Sequence, residues 1–225
     1  MKRISVFLFI ILFVFNCIAY ASESEVSGWA KEEVNKAIQL GIVPEDMQGD
    51  YQNNITRAEF AKIAVIFVAH HFNMDVDEVV EWYLSEHVSG DGEPVIFKED
   101  TFTDIDDSDH KYYIQCANTM NIVYGKGDGI FDPDAPITRE EGATMLLRVY
   151  FCYGGGVKLG PRSEGVDSFY DVKEISSWAD SAVRYMYQWD VMKGVSDRYY
   201  SPKGYYTREQ CYITFLRLDA VYSYR

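Results

Sequence analysis

The sequence predicts a mainly α-helical protein made of three helix-loop-helix units that pack against one another. The first observation is the tetrapeptide Thr-Arg-x-Glu/Gln, which occurs at residues 56–59, 138–141 and 207–210, each time ahead of an apolar stretch. A Thr followed three residues later by Glu or Gln is the capping box of a helix N-terminus. The second observation is that apolar residues recur at the same offsets before and after each box, as in paired amphipathic helices.

The first helix of each unit is indicated by four apolar residues ahead of the box. They stand at offsets 0, 3, 6 and 8, so that the first three fit one helical stripe and the fourth lies just past the helix end. The three sets are Val34, Ala37, Leu40 and Ile42; Ile114, Ala117, Met120 and Ile122; and Val183, Met186, Trp189 and Val191.

The loop between the two helices has a shared pattern in the second and third units. Residues 125–133 and 194–202 carry Gly, Asp, an aromatic residue and Pro in register. Gly and Asp favour tight turns, and the aromatic residue is expected to fill the gap between the helices. The loop of the first unit, at residues 44–51, lacks this pattern.

The second helix of each unit is expected to begin at the box and to bury the residues 4, 5, 8 and 11 positions after the threonine. A unit of about 50 residues buries too little apolar surface to be stable alone, so the three units are expected to share a core. The predicted core residues are Phe60, Ala61, Ala64 and Phe67; Gly142, Ala143, Leu146 and Val149; and Cys211, Tyr212, Phe215 and Leu218.

Capping does not explain the arginine of the box. A cation at the first helical position meets the positive end of the helix dipole, which costs up to about 1 kcal/mol. An anionic ligand would account for it, with amide groups of the helix start as further donors. The alternatives are an exposed surface cation or an ion pair with an acid of a neighbouring unit.

The N-terminal 21 residues have the form of a secretory signal peptide. Two basic residues precede an apolar run at 4–18 and a small-x-small cleavage site at 19–21. An uncleaved anchor is the alternative, but the run is shorter than a bilayer span requires. We therefore expect a secreted protein with no membrane insertion after cleavage. The predicted segments are 1–21 (signal peptide), 22–72 (unit one), 73–101 (acidic insertion with a helix from Asp75 to about His87), 102–153 (unit two), 154–168 (flexible Gly-rich linker) and 169–225 (unit three).

Charge and cysteine content exclude several classes of function. The net charge of −14 argues against nucleic acid and anionic lipid as partners, because both require basic surfaces. Beyond the signal peptide, Cys116, Cys152 and Cys211 show no paired spacing, which argues against a disulfide framework or a zinc site. Cys152 and Cys211 are expected to be buried. The acidic residues 104–109 lack the glycine and final acid of an EF-hand loop, so metal is the less favoured interpretation. No cofactor is expected.

Several motifs in order resemble the S-layer homology (SLH) repeat. Unit two has the aromatic-x-Asp start at 102–104, the full Gly-rich loop, and Pro-Ile-Thr-Arg-Glu-Glu at 136–141. Unit three has the aromatic-x-Asp start at 169–171 and Trp-Ala at 178–179, and unit one has Trp-Ala at 29–30 and Ile-Thr-Arg-Ala-Glu-Phe at 55–60. Together these motifs span most of the chain beyond residue 21.

The resemblance implies a module of three repeats with pseudo-threefold symmetry. Such modules anchor bacterial surface proteins noncovalently to cell-wall polysaccharide, typically a secondary polymer bearing pyruvate ketals, through grooves between repeats. Carried over by motif, the ligand-binding residues would be Arg57, Arg139 and Arg208, with weaker claims for Asp104, Asp171, Trp29, Trp178, Gly125 and Gly194. Turn formation is the alternative role for the two aspartates, and core packing is the alternative for the two tryptophans.

Departures from the family pattern reduce the number of grooves expected to be competent to one or two. Unit two has Asp109 where the other units have tryptophan, and unit three has Gln210 in place of the acid. A second hypothesis is a structural protein that self-assembles or docks other surface proteins through residues 73–101. A glycan-cleaving enzyme is less favoured, because no catalytic constellation is present, and we expect no enzymatic activity.

Overall fold

Seven α-helices and no β-strands occur in the described residues, 25–154 and 164–223, of a computed structural model of the chain. This confirms the mainly α prediction. The signal peptide and residues 155–163 of the predicted linker lie outside the described residues. The helices are α1 (Lys31–Gln39), α2 (Arg57–Phe72), α3 (Val76–Glu86), α4 (Lys111–Thr119), α5 (Arg139–Gly154), α6 (Asp180–Gln188) and α7 (Arg208–Ser223). Three short 3-10 turns lie at Glu45–Met47, Glu164–Ser168 and Val172–Glu174.

The long helices α2, α5 and α7 begin at the three predicted boxes. At α2 the Thr56 hydroxyl accepts from the Glu59 amide at 3.2 Å, and the Glu59 carboxylate accepts from the Thr56 amide at 3.0 Å. The insertion contains the predicted helix, α3, capped in the same way by Asp75 and Glu78. Local capping chemistry therefore sets the starts of these helices.

The short first helix of each unit packs on the long helix of a different unit. Helix α4 packs on α2, α6 packs on α5, and α1 packs on α7. The three long helices also contact one another pairwise. The packing is cyclic, because α1 of the first unit packs on α7 of the third unit. This is the pseudo-threefold arrangement that the repeats imply.

A ring of three backbone hydrogen bonds lies where the loops meet, formed by the residue before each box threonine. The Ile55 amide donates to the Tyr206 carbonyl at 2.8 Å, the Tyr206 amide to the Ile137 carbonyl at 3.0 Å, and the Ile137 amide to the Ile55 carbonyl at 3.3 Å. All three residues are fully buried. Each unit thus satisfies one backbone group of the next and is satisfied by the previous one.

The predicted core positions on the long helices are all buried, and the loop aromatics Phe131 and Tyr200 are fully buried as predicted. Phe215 lies at the centre of the core, with its ring 5.4 Å from that of Phe60 and 5.0 Å from that of Phe67. Cys116, Cys152 and Cys211 are free and buried. Among the described residues, no helix combines the length and apolar character needed to cross a bilayer.

Two residues of the predicted core stripes do not belong to the core. Leu40 is 41% exposed and Trp189 is half-buried, whereas the equivalent Met120 is buried. Each of the three is the C-cap residue of a short helix. The stripe therefore leaves the packed face at the helix end in units one and three.

Replacing Phe215 with Ala is expected to lower the free energy of unfolding by about 3–5 kcal/mol, because it removes a fully buried ring from the shared core. The matched control is Phe151→Ala, since Phe151 is 42% exposed on α5, and its effect should stay within about 1 kcal/mol. Urea unfolding followed by tryptophan fluorescence measures both. Similar losses in the two variants would contradict a single shared core.

Candidate ligand-binding grooves

The box arginines clamp the loop of the next unit. Arg57 donates from Nε to the Phe131 carbonyl and from Nη2 to the Tyr124 carbonyl, both at 2.7 Å. Arg139 makes the equivalent bonds to the carbonyls of Tyr200, at 3.0 Å, and Lys193. These contacts explain the cation at the first helical position, because two charge-assisted hydrogen bonds outweigh an unfavourable dipole term.

The free amides at the start of each long helix are also used by the next loop. The Arg57 amide donates to the Ala135 carbonyl and the Ala58 amide to the Pro133 carbonyl, each at 3.0 Å. The equivalent amides of α5 donate to Gly204 and Pro202. The expectation that these amides serve a ligand is therefore wrong, since their hydrogen-bonding capacity is already taken.

Asp104 and Asp171 accept hydrogen bonds from backbone amides of the same loops. The Asp104 carboxylate accepts from the Phe131 amide at 2.9 Å and the Asp132 amide at 2.7 Å, and Asp171 accepts from the Tyr200 amide at 3.0 Å and the Ser201 amide at 2.7 Å. Burial acts to raise the pKa of Asp104, but the two amides outweigh it and hold the pKa below its usual value. The geometry gives both aspartates a loop-forming role.

Gly125 and Gly194 are required by the aromatic residue of each aromatic-x-Asp start. A Cβ on Gly125 would lie 2.7 Å from the Phe102 ring, and one on Gly194 would lie 2.6 Å from the Phe169 ring. Only glycine leaves room for these rings. The two glycines therefore bring the loop backbone close to the second helix, where each of them lines a cavity.

Two equivalent cavities lie between units, and we call them groove A and groove B. Groove A has a volume of 270 Å³ and groove B one of 420 Å³. The pseudo-threefold symmetry relates the lining residues of one groove to those of the other. Groove A is lined by Arg57, Tyr124, Gly125, Lys126, Glu141, Thr144, Met145, Arg148 and Trp178. Groove B is lined by Arg139, Met192, Lys193, Gly194, Val195, Gln210, Ile213, Thr214, Arg217 and Trp29.

Each groove carries one exposed tryptophan at its wall. Trp29 is 61% exposed and Trp178 is 57% exposed, so neither is a core residue. The alanines that follow them, Ala30 and Ala179, are fully buried and fix the turn before the short helix. The tryptophan rings are consequently held at the groove rim by the neighbouring backbone rather than by their own burial.

The third equivalent position is occupied by ion pairs within the chain. Arg208 donates to both carboxylate oxygens of Glu59, and Lys62 forms an ion pair with Asp46. The tryptophan of the other two positions is replaced here by Asp109. The structure therefore places Arg208 in an internal ion pair, while Arg57 and Arg139 each line a groove.

Arg148 of groove A is a residue that the sequence analysis missed. Its guanidinium carbon lies 4.2 Å from the centre of the Tyr124 ring, and within the described part of the chain it has no hydrogen bond or ion pair. Burial lowers its pKa, but an arginine stays charged at neutral pH. Its counterpart in groove B, Arg217, donates to the Glu33 carboxylate at 2.8 and 2.7 Å. Both arginines stand ten residues after a box threonine, a recurrence that sequence alone shows.

Replacing Asp104 with Asn is expected to destabilise the fold by about 1–2 kcal/mol at pH 7, because an amide group cannot accept from both loop amides. The pKa of Asp104 lies below the usual 3.8 in the folded chain. Its ionised form therefore stabilises the fold above that pH, and the contribution is lost as the pH falls through the folded value. The difference between wild type and variant should shrink below about pH 4.

Denaturant unfolding between pH 7 and pH 3 measures this difference. The control is Asp128→Asn in the same loop, where the residue is exposed and adopts a left-handed conformation that Asn tolerates. Its effect should stay within about 0.5 kcal/mol at every pH. A constant penalty for Asp104→Asn down to pH 3 would argue against the ionised carboxylate as the loop anchor.

Comparison with known proteins identifies the repeats. The family model of the S-layer homology domain matches residues 24–61, 101–143 and 168–210. The chain is 38% identical over 97 residues to an endoglucanase of Bacillus sp. (strain KSM-635), covering 43% of this chain and 10% of that protein. It is 30% identical over 155 residues to the cellulosome-anchoring protein of Acetivibrio thermocellus, covering 68% and 29%. With the exoglucanase XynX of Acetivibrio thermocellus it shares 26% identity over 185 residues, covering 81% and 14%.

The chain thus spans less than a third of the length of each of these relatives. The three matched segments take up more than half of the chain, and each contains one short helix, the following loop and the start of one long helix. The chain belongs to the S-layer homology domain family, whose repeats form a non-catalytic module for anchoring at the bacterial cell surface.

Proposed function

We propose that this chain is a secreted module that binds bacterial cell-wall polysaccharide noncovalently, with an acidic group of the polymer held in groove A. A pyruvate ketal is the acidic group we favour. The observation that carries the proposal is Arg148, a half-buried guanidinium that lines groove A and has no acceptor among the described residues. Export by residues 1–21 is part of the same proposal.

A partly desolvated charge needs a partner. Burial removes water from a guanidinium, and the face of an aromatic ring replaces only part of that stabilisation. No acceptor in the part of the chain that the structure describes takes the donors of Arg148, and the planar fork of arginine fits a carboxylate bidentately. An overall acidic chain attracts an anion only at such a local site.

The neighbouring groups of groove A suit a sugar. The exposed Trp178 ring offers a flat apolar face for the C–H side of a pyranose, and Gly125 brings loop backbone to the floor. Arg57 lines the same groove, although two of its donors are bound to carbonyls. In this arrangement Arg57 builds the groove and Arg148 binds the anion, which reverses the emphasis of the sequence analysis.

Groove B offers a weaker site for the same polymer. Its tryptophan, Trp29, is as exposed as Trp178, but its arginine at the equivalent position is engaged by Glu33. Two grooves on one chain would bind a repeating polymer with an avidity above either single affinity. Anchoring of whole proteins at the cell surface is consistent with such combined binding.

A second candidate function is docking of another surface protein through the insertion. The insertion exposes two aliphatic residues after α3, Val88 at 67% and Ile96 at 75%, which adds apolar surface to a partner-binding face. Deleting residues 88–96 separates the two functions. Glycan binding in the grooves should survive this deletion, whereas protein docking or self-assembly should not.

Replacing Arg148 with Gln is expected to weaken binding to purified wall sacculi by about tenfold or more, because a charge-assisted contact to a carboxylate contributes about 1.5–3 kcal/mol. The unfolding midpoint should stay unchanged or rise, since the variant removes an unpaired charge from a half-buried site. Co-sedimentation with sacculi, before and after chemical removal of pyruvate from the secondary polymer, measures the loss.

Arg217→Gln is the matched control, because Arg217 has the same helix position in groove B and is already paired. Its effect on sedimentation should be less than about threefold. Equal retention on sacculi with and without the secondary polymer would contradict the proposed function. Equal losses for the two variants would contradict the assignment of the anion to groove A.

A further inference from the structure

A second cavity lies beside groove B. This cavity has a volume of 310 Å³ and is lined by Trp189, Asp190, Lys193, Arg217, Ala220 and Val221. We call it the Trp189 cleft. Lys193 and Arg217 line both the Trp189 cleft and groove B. The two cavities therefore share a cationic wall at the junction of α6 and α7.

Trp189 is presented to this cleft by the fold. It is the C-cap of α6, and its ring lies 4.4 Å from that of Tyr150 and 5.5 Å from that of Tyr185. Two aromatic neighbours fix the indole on one side, while the residue as a whole is half-buried. A rigid, partly exposed indole beside a cavity is a stacking surface for a sugar ring.

The equivalent place beside groove A has different side chains. The counterpart of Trp189 is Met120, which is buried, and the counterpart of Ala220 is Phe151. The counterpart of Lys193 is Tyr124, whose ring lies under Arg148. The small Ala220 thus lies at the place of the large Phe151, and the flat Trp189 at the place of Met120.

The charges around the cleft favour an acidic glycan over a neutral one. The ammonium group of Lys193 lies 3.4 Å from the Asp190 carboxylate, and both side chains are more than half exposed, so this pair is weak and exchangeable. Arg217 contributes positive charge at the shared wall, although its donors are bound to Glu33. An acidic polysaccharide that extends from groove B into this cleft would contact Lys193.

We propose that the Trp189 cleft binds the next sugar of the acidic polysaccharide chain held in groove B, so that groove B recognises at least two consecutive sugars and groove A one. The proposal rests on the proposed function and adds a subsite to it. The two cations that line both cavities and the fixed indole point to the same occupant.

The test uses two probes and a protein in which groove A is disabled by Arg148→Gln. The probes are a pyruvylated methyl hexoside and oligosaccharide fragments of the purified pyruvylated wall polymer, titrated calorimetrically. The oligosaccharide is expected to bind about fivefold more tightly than the single sugar, the gain that one aromatic contact provides.

Adding Ala220→Phe should abolish this length advantage while leaving the affinity for the single sugar unchanged. The exposed Ala220 lies outside groove B, and the substitution copies the natural Phe151 at the equivalent position of α5. A second variant, Trp189→Leu, should remove the advantage by loss of the stacking surface. The control Ala220→Ser should retain it.

Retention of the length advantage in both Ala220→Phe and Trp189→Leu would overturn the proposal. Equal affinity of the starting protein for the two probes would overturn it as well, while leaving the proposed function intact. Failure of wild type to bind either probe would instead overturn the proposed function, and the two failures are thereby distinguished.

Discussion

The contact on which this structure depends is the insertion of each box arginine into the loop of the next unit. The guanidinium and the first helical amides together satisfy carbonyls that the loop exposes, and the loop in turn satisfies the amides that the helix start exposes. Neither side is complete within its own unit. The core follows the same rule, because each short helix packs on the long helix of a different unit. Stability and repeat number are therefore linked.

The same contact builds the grooves. An aspartate accepts hydrogen bonds from the loop that Arg57 or Arg139 contacts, and a buried aromatic ring of the loop packs into the core. The glycine of the loop lies against the ring of the aromatic-x-Asp start. The residues of the family motif thus mainly determine the conformation of one loop and its position beside one helix start. The exposed Trp29 and Trp178 and the guanidinium of Arg148 line the grooves without taking part in this framework. At the third junction the framework pairs its charges internally, through Arg208 and Glu59.

Sequence patterns predicted the helices well, since a capping box and an apolar stripe are local features whose physics needs no partner. The insertion helix and the buried core of the long helices were predicted for the same reason. The role of the box arginines was not predicted. A cation at a helix N-terminus is unfavourable locally, and the carbonyls that compensate for it belong to another unit. Arg148 and Arg217 look identical in sequence, and only the cyclic packing shows that one faces Glu33 and the other does not. The exposure of Trp29 and Trp178 likewise depends on where the neighbouring unit ends.

The ring of backbone bonds through Ile55, Ile137 and Tyr206 has an evolutionary consequence. Solenoids lengthen by duplication, because each added repeat finds an open end and needs only a cap. A closed circuit offers no such end, so inserting or losing one repeat would leave a donor and an acceptor stranded unless another molecule supplied them. The closed circuit thus ties this chain to three units, and the junctions differ from one another only in the side chains placed around it.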